Sequence, residues 1–595
     1  MSKYLINIAV GPVQEFIASA RKLKDLWYGS YLLSELSKSV AEALLDQSCE
    51  LIFPAVDDKT LLRPNSQLNV ANKILAVSPN GSDPVELTTL ARNAFSNHWE
   101  KICREAQSKA PPLDQELFNK QIEDFGEFFA AWVPYEENKY KKCRTLVEAK
   151  LGGRKSLREF NAPAWDGTGL AKSSLDGIRE AVITGVRKGD NRSFQLKKGE
   201  HLDVLGVVKR FGPWNNERRP HFDNMAQVAA RPYLSGLRKA AIESANIAAL
   251  IPDSSIVKNL YPGFSEGSPL ADPPLWEGWP KGLSSDLLHP AVLEEEKKLA
   301  EPDRKKNWAV LEKTLKKLWS ATSQPSPYAC LLLGDGDNMG KTLDTIITVE
   351  GHKAFSASLE NFATGVHDIA ERHNGRIVYS GGDDVMAYAP LDSAIECAEE
   401  FNNLFQNIME KIAGQLKIEA PSFSLGMVIV HQKTPLANAL ALARQAEHTA
   451  KEVGGKNCLA VIQDKRSGSP LSIHGSWKGD SGLPFRLKRY QDAIIADRLP
   501  GTLGYQLRLI ADQCGPALAW QDATEPANPA CAEALRIIGR KRDKSTKQLL
   551  PDDAAFIIQG ETDLRHISDK LVIALQLAGA KKLTHGNWSK KEMNQ

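Results

Sequence analysis

The stretch from Tyr328 to about Gln463 alternates strand-like and helix-like segments in an order that few folds accommodate. An apolar run, Tyr328 to Leu333, enters the loop Gly334-Asp335-Gly336-Asp337-Asn338-Met339-Gly340. A helix is predicted from about His352 to His373, because Phe355, Leu359, Phe362, Val366 and Ile369 recur at helical spacing. Two β-type runs, Arg376 to Ser380 and Val385 to Tyr388, flank Gly381-Gly382-Asp383-Asp384, whose glycine pair suits a tight hairpin with carboxylates at its tip. A helix from Ser393 to about Ala413, a strand from Ser422 to Val430, a helix from Leu436 to Glu452 and a strand from Cys458 to Ile462 complete the series. The core of this order is β-α-β-β-α-β, the ferredoxin-like palm, with the Ser393 helix read as an addition between strands.

That topology gives the acidic residues their weight. Taken alone, Gly-Gly-Asp-Asp is more often a solvated turn than a site. In a palm the first strand lies beside the hairpin, so Asp335 at the strand end meets Asp383 and Asp384 at the tip. Hard oxygen ligands grouped in this way suit two Mg²⁺ or Mn²⁺ ions bridging the phosphates of ATP, the chemistry of phosphoryl transfer. Asp335, Asp383 and Asp384 are therefore the candidate catalytic and metal-binding residues. Gly336, Asn338, Gly381 and Gly382 are candidate nucleotide contacts, since glycine permits close backbone approach to phosphate oxygens. Ser380 reads either as a base or ribose contact or as an ordinary strand serine. Lys451 reads either as a phosphate contact or as a lysine satisfying a helix C-terminus. Asp337 reads equally as a further acid or as a cap or turn residue.

At 595 residues the chain has room for several domains. Its net charge of +2 carries no overall signature of polyanion binding. One local basic patch, Lys139 to Arg158, is either a solvated surface or an RNA-backbone contact. Eight scattered cysteines without a C-x-x-C pair argue against a zinc ribbon and against a disulfide framework. The absence of a long apolar run or signal pattern leads to a cytoplasmic expectation. No P-loop, complete Rossmann fingerprint or nucleophilic triad is present. His367-Asp368 spells a phosphohydrolase dyad, but it falls inside an amphipathic helix with no supporting histidine cluster and is read as coincidence. The domain divisions expected are 1–200, 201–322, 323–470 and 471–595.

The sequence resembles the large polymerase/cyclase-like subunit of type III-B (Cmr) CRISPR effector complexes. The resemblance is carried by Ile8-Ala-Val-Gly-Pro-Val-Gln-Glu-Phe-Ile17 continuing to Asp25-Leu-Trp-Tyr-Gly-Ser-Tyr-Leu-Leu-Ser34, by Asp335 to Lys341, by Gly381 to Asp384, and by Ser422 to His431 followed by Pro435-Leu436 and Ala450-Lys451. It implies an α+β multidomain protein with two ferredoxin-like palms, the first degenerate, plus helical linking and C-terminal domains. It also implies synthesis of cyclic oligoadenylate from ATP when the complex, loaded with guide CRISPR RNA and joined to its other effector subunits, binds target RNA. The first palm, residues 1 to about 85, would then lie beside the Gly-Gly-Asp-Asp site. Many relatives begin with an HD nuclease domain. Here the palm signature starts at residue 4, so DNA cleavage is not expected. Relatives also bind zinc through paired cysteines between the palms. In this chain Ser174, Asp176 and Asp203 stand there instead, so no zinc is expected. The alternatives are a nucleotide-binding scaffold in the same complex, a palm enzyme joining AMP to another small molecule, and, more weakly, a diguanylate cyclase.

Overall fold

Four strands form the first sheet: β1 (Lys3–Gly11), β2 (Glu50–Phe53), β3 (Lys73–Val77) and β4 (Glu127–Tyr135), ordered β2-β3-β1-β4 with every pairing antiparallel. The computed structural model describes the chain apart from residues 1, 65, 67, 158–168, 185–195, 197–198, 214–222, 261–275, 277, 301, 303, 480, 519–525, 541–550, 559–560 and 587–595. Helix Leu23–Asp46 joins β1 to β2 and helix Pro84–Lys109 precedes β4, so this is a full β-α-β-β-α-β unit. Alternate residues of β1 serve two cores. Ile6, Ile8 and Val10 pack with those two helices, while Leu5 and Ala9 pack with helix Tyr140–Ser156. Both faces are covered, which explains the nearly unbroken apolar run of β1. Sequence periodicity alone does not reveal β3 or β4. Short β3 shows no usable alternation, and β4 contains Pro134, which is tolerated because β4 is an edge strand.

A small ladder of β5 (Ile183–Thr184) and β6 (His201–Leu202) leads into helix Val204–Phe211, whose apolar residues join the first palm's core. The residues at the expected thiolate positions make hydrogen bonds. Ser173 Oγ donates to Asp203 Oδ1 at 2.9 Å, and Asp203 accepts from the Gly206 N–H at 3.0 Å. Ser174 Oγ accepts from the His201 N–H at 2.9 Å, and Asp176 pairs with Arg179 at 3.3 Å. Helices Met225–Glu243, Pro290–Leu299 and Lys305–Ala321 then surround a core that includes Tyr233, Leu237, Leu311 and Leu315.

The second sheet contains β7 (Tyr328–Gly336), β8 (Arg376–Gly381), β9 (Asp384–Ala389), β10 (Phe423–His431), β11 (Cys458–Gln463) and β12 (Leu471–Ser476), ordered β12-β11-β10-β7-β9-β8. Its ferredoxin-like unit differs in one respect from the sequence reading. β10 pairs antiparallel with β7, so helix Ala394–Leu416 is the unit's second helix rather than an addition. It packs with helix Val349–Arg372 on one face of the sheet. The appended piece is helix Leu436–His448 with β11, which runs parallel to β10. Two successive amphipathic helices look alike in sequence, and only strand pairing tells them apart. β12 carries the sheet past residue 470, where the palm was expected to end. Helices Leu483–Ile495, Leu503–Cys514 and Leu564–Leu583 pack into the core on the Ala394–Leu416 side.

The two palms meet reciprocally. Helix Leu23–Asp46 of the first lies against β8 of the second, and helix Val349–Arg372 of the second lies against β2 of the first. Each palm thus presents its first helix to the other's second strand, the relation of a pseudo-two-fold pair. Lys353 bridges to Glu50 at 2.9 Å, Arg144 pairs with Asp344, and Phe53 sets its ring edge-on to His352.

Candidate nucleotide site

The strand alternation that builds the second core also aims the acids. Leu331 and Leu333 face the side of the sheet covered by helix Leu436–His448, and Asp335 follows in the same phase. β7 pairs with β9 up to Gly334 opposite Val385, so its end lies beside the hairpin tip. Gly381 stands opposite Asp384, leaving Gly382 and Asp383 as the turn. Gly382 has φ +65°, and a two-residue hairpin takes glycine at this first central position. Across the tip Gly336 meets Asp383 so closely that an added Cβ would lie 2.9 Å from the aspartate's Cβ. The end of β7 that carries Asp335 thus lies beside the hairpin that carries Asp383 and Asp384.

The acids repel one another and are partly stripped of water. Surrounding protein raises Asp383 above the ordinary carboxylate range. Asp384, open on one side, is raised first by desolvation and then by Asp383 and Glu447. Lost hydration raises Glu447 as well, with a contribution from Asp337. A divalent cation would relieve these repulsions. Among the described residues, no three His, Cys, Asp or Glu side chains form a ready metal cage. Mg²⁺ sites commonly use one or two carboxylates and complete their shell with substrate phosphates and water, and this acid set fits that pattern.

The neighbouring candidates divide sharply. Lys451 reaches the site: its ammonium pairs with Asp335 and also with Glu447 at 2.8 Å. Asn338 has φ +58° and accepts from Lys456 Nζ at 2.7 Å. Lys456 at φ +72° and Asn457 at φ +50° add two more left-handed residues, so backbone strain is concentrated around the Asp335 loop. Open space surrounds Gly381 and Gly382 where side chains would otherwise project. Ser380 is turned away. Its hydroxyl donates to Ala363 O at 2.9 Å and lies 3.2 Å from His367 Nε2, so it is committed to the underlying helix rather than to a base or ribose. His367 is thereby explained as a packing residue.

Asp337 organises the loop. Buried, it accepts from Ser422 Oγ at 2.7 Å, Ser424 Oγ at 2.9 Å and the Asn457 N–H at 2.9 Å. The sequence reading missed Glu447. The signal available was its i, i+4 spacing to Lys451 on the helix that closes over the sheet. Of the basic patch, Arg144 is buried against Glu148 and Asp344, Lys139 pairs with Glu136, and Arg158 lies outside the described residues.

Residues 328–460 match the family described as Cas10/Cmr2, second palm domain, and residues 5–104 match CRISPR-associated protein Cmr2, N-terminal. The chain is similar to CRISPR system Cmr subunit Cmr2 of Pyrococcus furiosus, 26% identical over 569 aligned residues covering 78% of this chain. Over those two segments the chain is similar to Cas10/Cmr2 proteins. It spans 62% of the length of that curated relative. Solved structures share the fold. The type III-B Cmr-beta structure in its apo state aligns with TM-score 0.63 at 13% identity, covering 97% of this chain and 82% of the other. Cmr-beta bound to cognate target RNA aligns with TM-score 0.62 at 13% identity, covering 98% and 83%. At that identity the likeness is one of fold. Segment 328–460 holds the whole β-α-β-β-α-β core of the second palm with Asp335, Asp383, Asp384 and Lys451, whereas segment 5–104 covers the first palm only from β1 into helix Pro84–Lys109 and stops short of β4. All eight cysteines are free, and among the described residues no helix is long and apolar enough to cross a membrane.

Proposed function

We propose that this chain is the nucleotidyl cyclase subunit of an RNA-guided type III-B effector complex, making cyclic oligoadenylate from ATP when target RNA is bound. The observation that supports this reading is that the end of β7, whose Asp335 pairs with Lys451, lies beside the hairpin that carries Asp383 and Asp384. Its partners would be the other effector subunits, guide CRISPR RNA and target RNA; a type III-B Cmr-beta structure of the same fold was solved bound to cognate target RNA. A cytoplasmic location suits eight free cysteines. The divisions 1–200, 201–322, 323–470 and 471–595 are proposed as working domains, with β12 and helix Val204–Phe211 packing across two of the boundaries.

Asp335, Asp383 and Asp384 would hold two Mg²⁺ or Mn²⁺ ions, which when bound neutralise triphosphate charge and favour ionisation of the attacking 3′-hydroxyl. The oxygen of one ATP's 3′-hydroxyl bonds to the α-phosphorus of another, and the bond to pyrophosphate breaks. The chain's own part is positioning, which accounts for much of the catalysis of phosphoryl transfer. The glycines at 381 and 382 leave room for phosphate beside the backbone. Asp337 fixes the loop that carries Asp335, and Lys456 holds Asn338 at its rim. The first palm braces β8 from behind.

The test is pyrophosphate release from ATP by the assembled complex with Mn²⁺. Release is expected to require target RNA and to vanish in Asp383→Ala/Asp384→Ala. Equal release by the isolated chain without RNA would contradict the regulated-subunit reading.

A further inference from the structure

The ammonium of Lys451 holds two carboxylates together: Asp335 at the end of β7, and Glu447 one turn earlier on its own helix, at 2.8 Å. Both anchors are fixed by backbone. Asp335 stands in register with Ser424 of β10. Two residues along β10, Gly426 touches the helix so closely that an added Cβ would lie 2.2 Å from the Glu447 nitrogen. That approach sets the height of Glu447 above the sheet. Past His448 the helix opens into a π turn, Thr449–Val453, which carries Lys451. Such turns recur at functional sites. The side chains of Lys451 and Glu447 are 21% and 20% exposed, so water screens their pairing only partly.

We propose that Lys451 is a tethered counter-cation that occupies the Asp335 carboxylate while the site is free of metal and nucleotide, and that Glu447 is the positioning residue that retains the ammonium when a divalent ion takes Asp335. This rests on the reading of Asp335, Asp383 and Asp384 as the metal-binding set. Asp335, Asp337, Asp383, Asp384 and Glu447 crowd one end of the sheet, and like charges at that spacing destabilise one another. One ammonium on Asp335 offsets part of that repulsion. A divalent ion that takes the Asp335 Oδ2 displaces Lys451 from it, and one that takes the other oxygen still meets the repulsion of the adjacent ammonium, so the two cations compete for this carboxylate. Glu447 already holds it, and rotation of a flexible four-carbon stem suffices without helix movement. A triphosphate arriving with the metal offers the displaced ammonium a second anionic partner. Metal alone is therefore held more weakly than metal delivered with nucleotide.

The experiment is Mn²⁺ titration of the full chain without nucleotide, with free Mn²⁺ read by electron paramagnetic resonance and folding checked by circular dichroism. Lys451→Met is expected to tighten Mn²⁺ binding about three- to ten-fold, the scale of one partly screened ion pair. Lys451→Arg, which keeps the charge, should restore the weaker value. Glu447→Gln should weaken binding when Lys451 is present and change it little in the Lys451→Met background, as a double-mutant cycle requires of coupled residues. Unchanged or weaker binding in folded Lys451→Met overturns the proposal. So does equal weakening by Glu447→Gln in both backgrounds, which would make Glu447 a direct ligand. Wild-type binding that survives Asp335→Asn/Asp383→Asn would instead overturn the metal-site reading itself. Loss of binding in that variant, together with a silent Lys451→Met, discards the counter-cation alone.

Discussion

Asn69, in the connection between β2 and β3, donates from Nδ2 to the backbone carbonyl of Ser380 at 3.2 Å and so ties the first palm to the strand entering the Gly382-Asp383 turn. In the second palm the corresponding connection is that two-residue turn; in the first it runs through residues 54–72 and touches its partner's hairpin instead. The first palm thus supports the site without carrying the Gly-Gly-Asp-Asp motif.

Asn69→Ala removes this tie and leaves a carbonyl that water can satisfy. The expected loss of folding stability is about 1 kcal/mol or less. Turnover of ATP by the assembled complex should fall about three- to ten-fold through poorer alignment of the hairpin, while Mn²⁺ binding by the isolated chain stays near wild type. Steady-state kinetics alongside the Mn²⁺ titration checks this. Unchanged turnover would mean that the first palm does not brace the tip.

Asp337→Ala strands Ser422 Oγ, Ser424 Oγ and the Asn457 N–H, which all donate to that one buried carboxylate. The expected cost is about 2–4 kcal/mol of stability, measured by denaturant unfolding. Asp384→Ala, at the exposed first residue of β9, should cost little or raise stability slightly by easing repulsion at the tip. Equal losses would contradict the division between a loop-building and a ligand-binding acid.

The second palm was legible because its strands and helices keep clean periods and its acids sit at punctuated strand ends. Helix Val349–Arg372 and strands β7, β10 and β11 fall within a few residues of their predicted places. Which helix belongs to the ferredoxin-like unit was not legible, since that depends on β10 rather than β11 pairing with β7. In the first palm, four- and five-residue strands and an edge proline hid β2, β3 and β4 from periodicity. At the site, Asp335, Asp383 and Asp384 could be grouped from topology. The inward turn of Ser380 and the Glu447–Lys451–Asp335 bridge depend on side-chain direction, which spacing alone leaves open.

Glu360 supplies a pH dependence at the palm–palm contact. Burial raises its carboxyl from the ordinary 4.5 to about 7, opposed in part by a hydrogen bond from the Asn69 backbone. A raised folded-state value favours the protonated form. Its stabilising contribution is complete below about pH 4.5 and is lost as pH rises through about 7. Glu360→Gln should therefore stabilise the chain by roughly 1–2 kcal/mol at pH 8 and by little at pH 4. Thermal unfolding of both proteins across that range tests the sign, and a variant that is stabilised more at low pH would contradict it.

The most direct test of the central claim is mass spectrometry of the products formed from labelled ATP by the assembled complex with target RNA and Mn²⁺, for wild type and Asp383→Ala/Asp384→Ala. The account predicts adenylate rings lacking a 5′-triphosphate from the wild type and no such product from the variant. Rings made equally by the variant, or a wild-type product in which AMP is joined to a different small molecule, would contradict it.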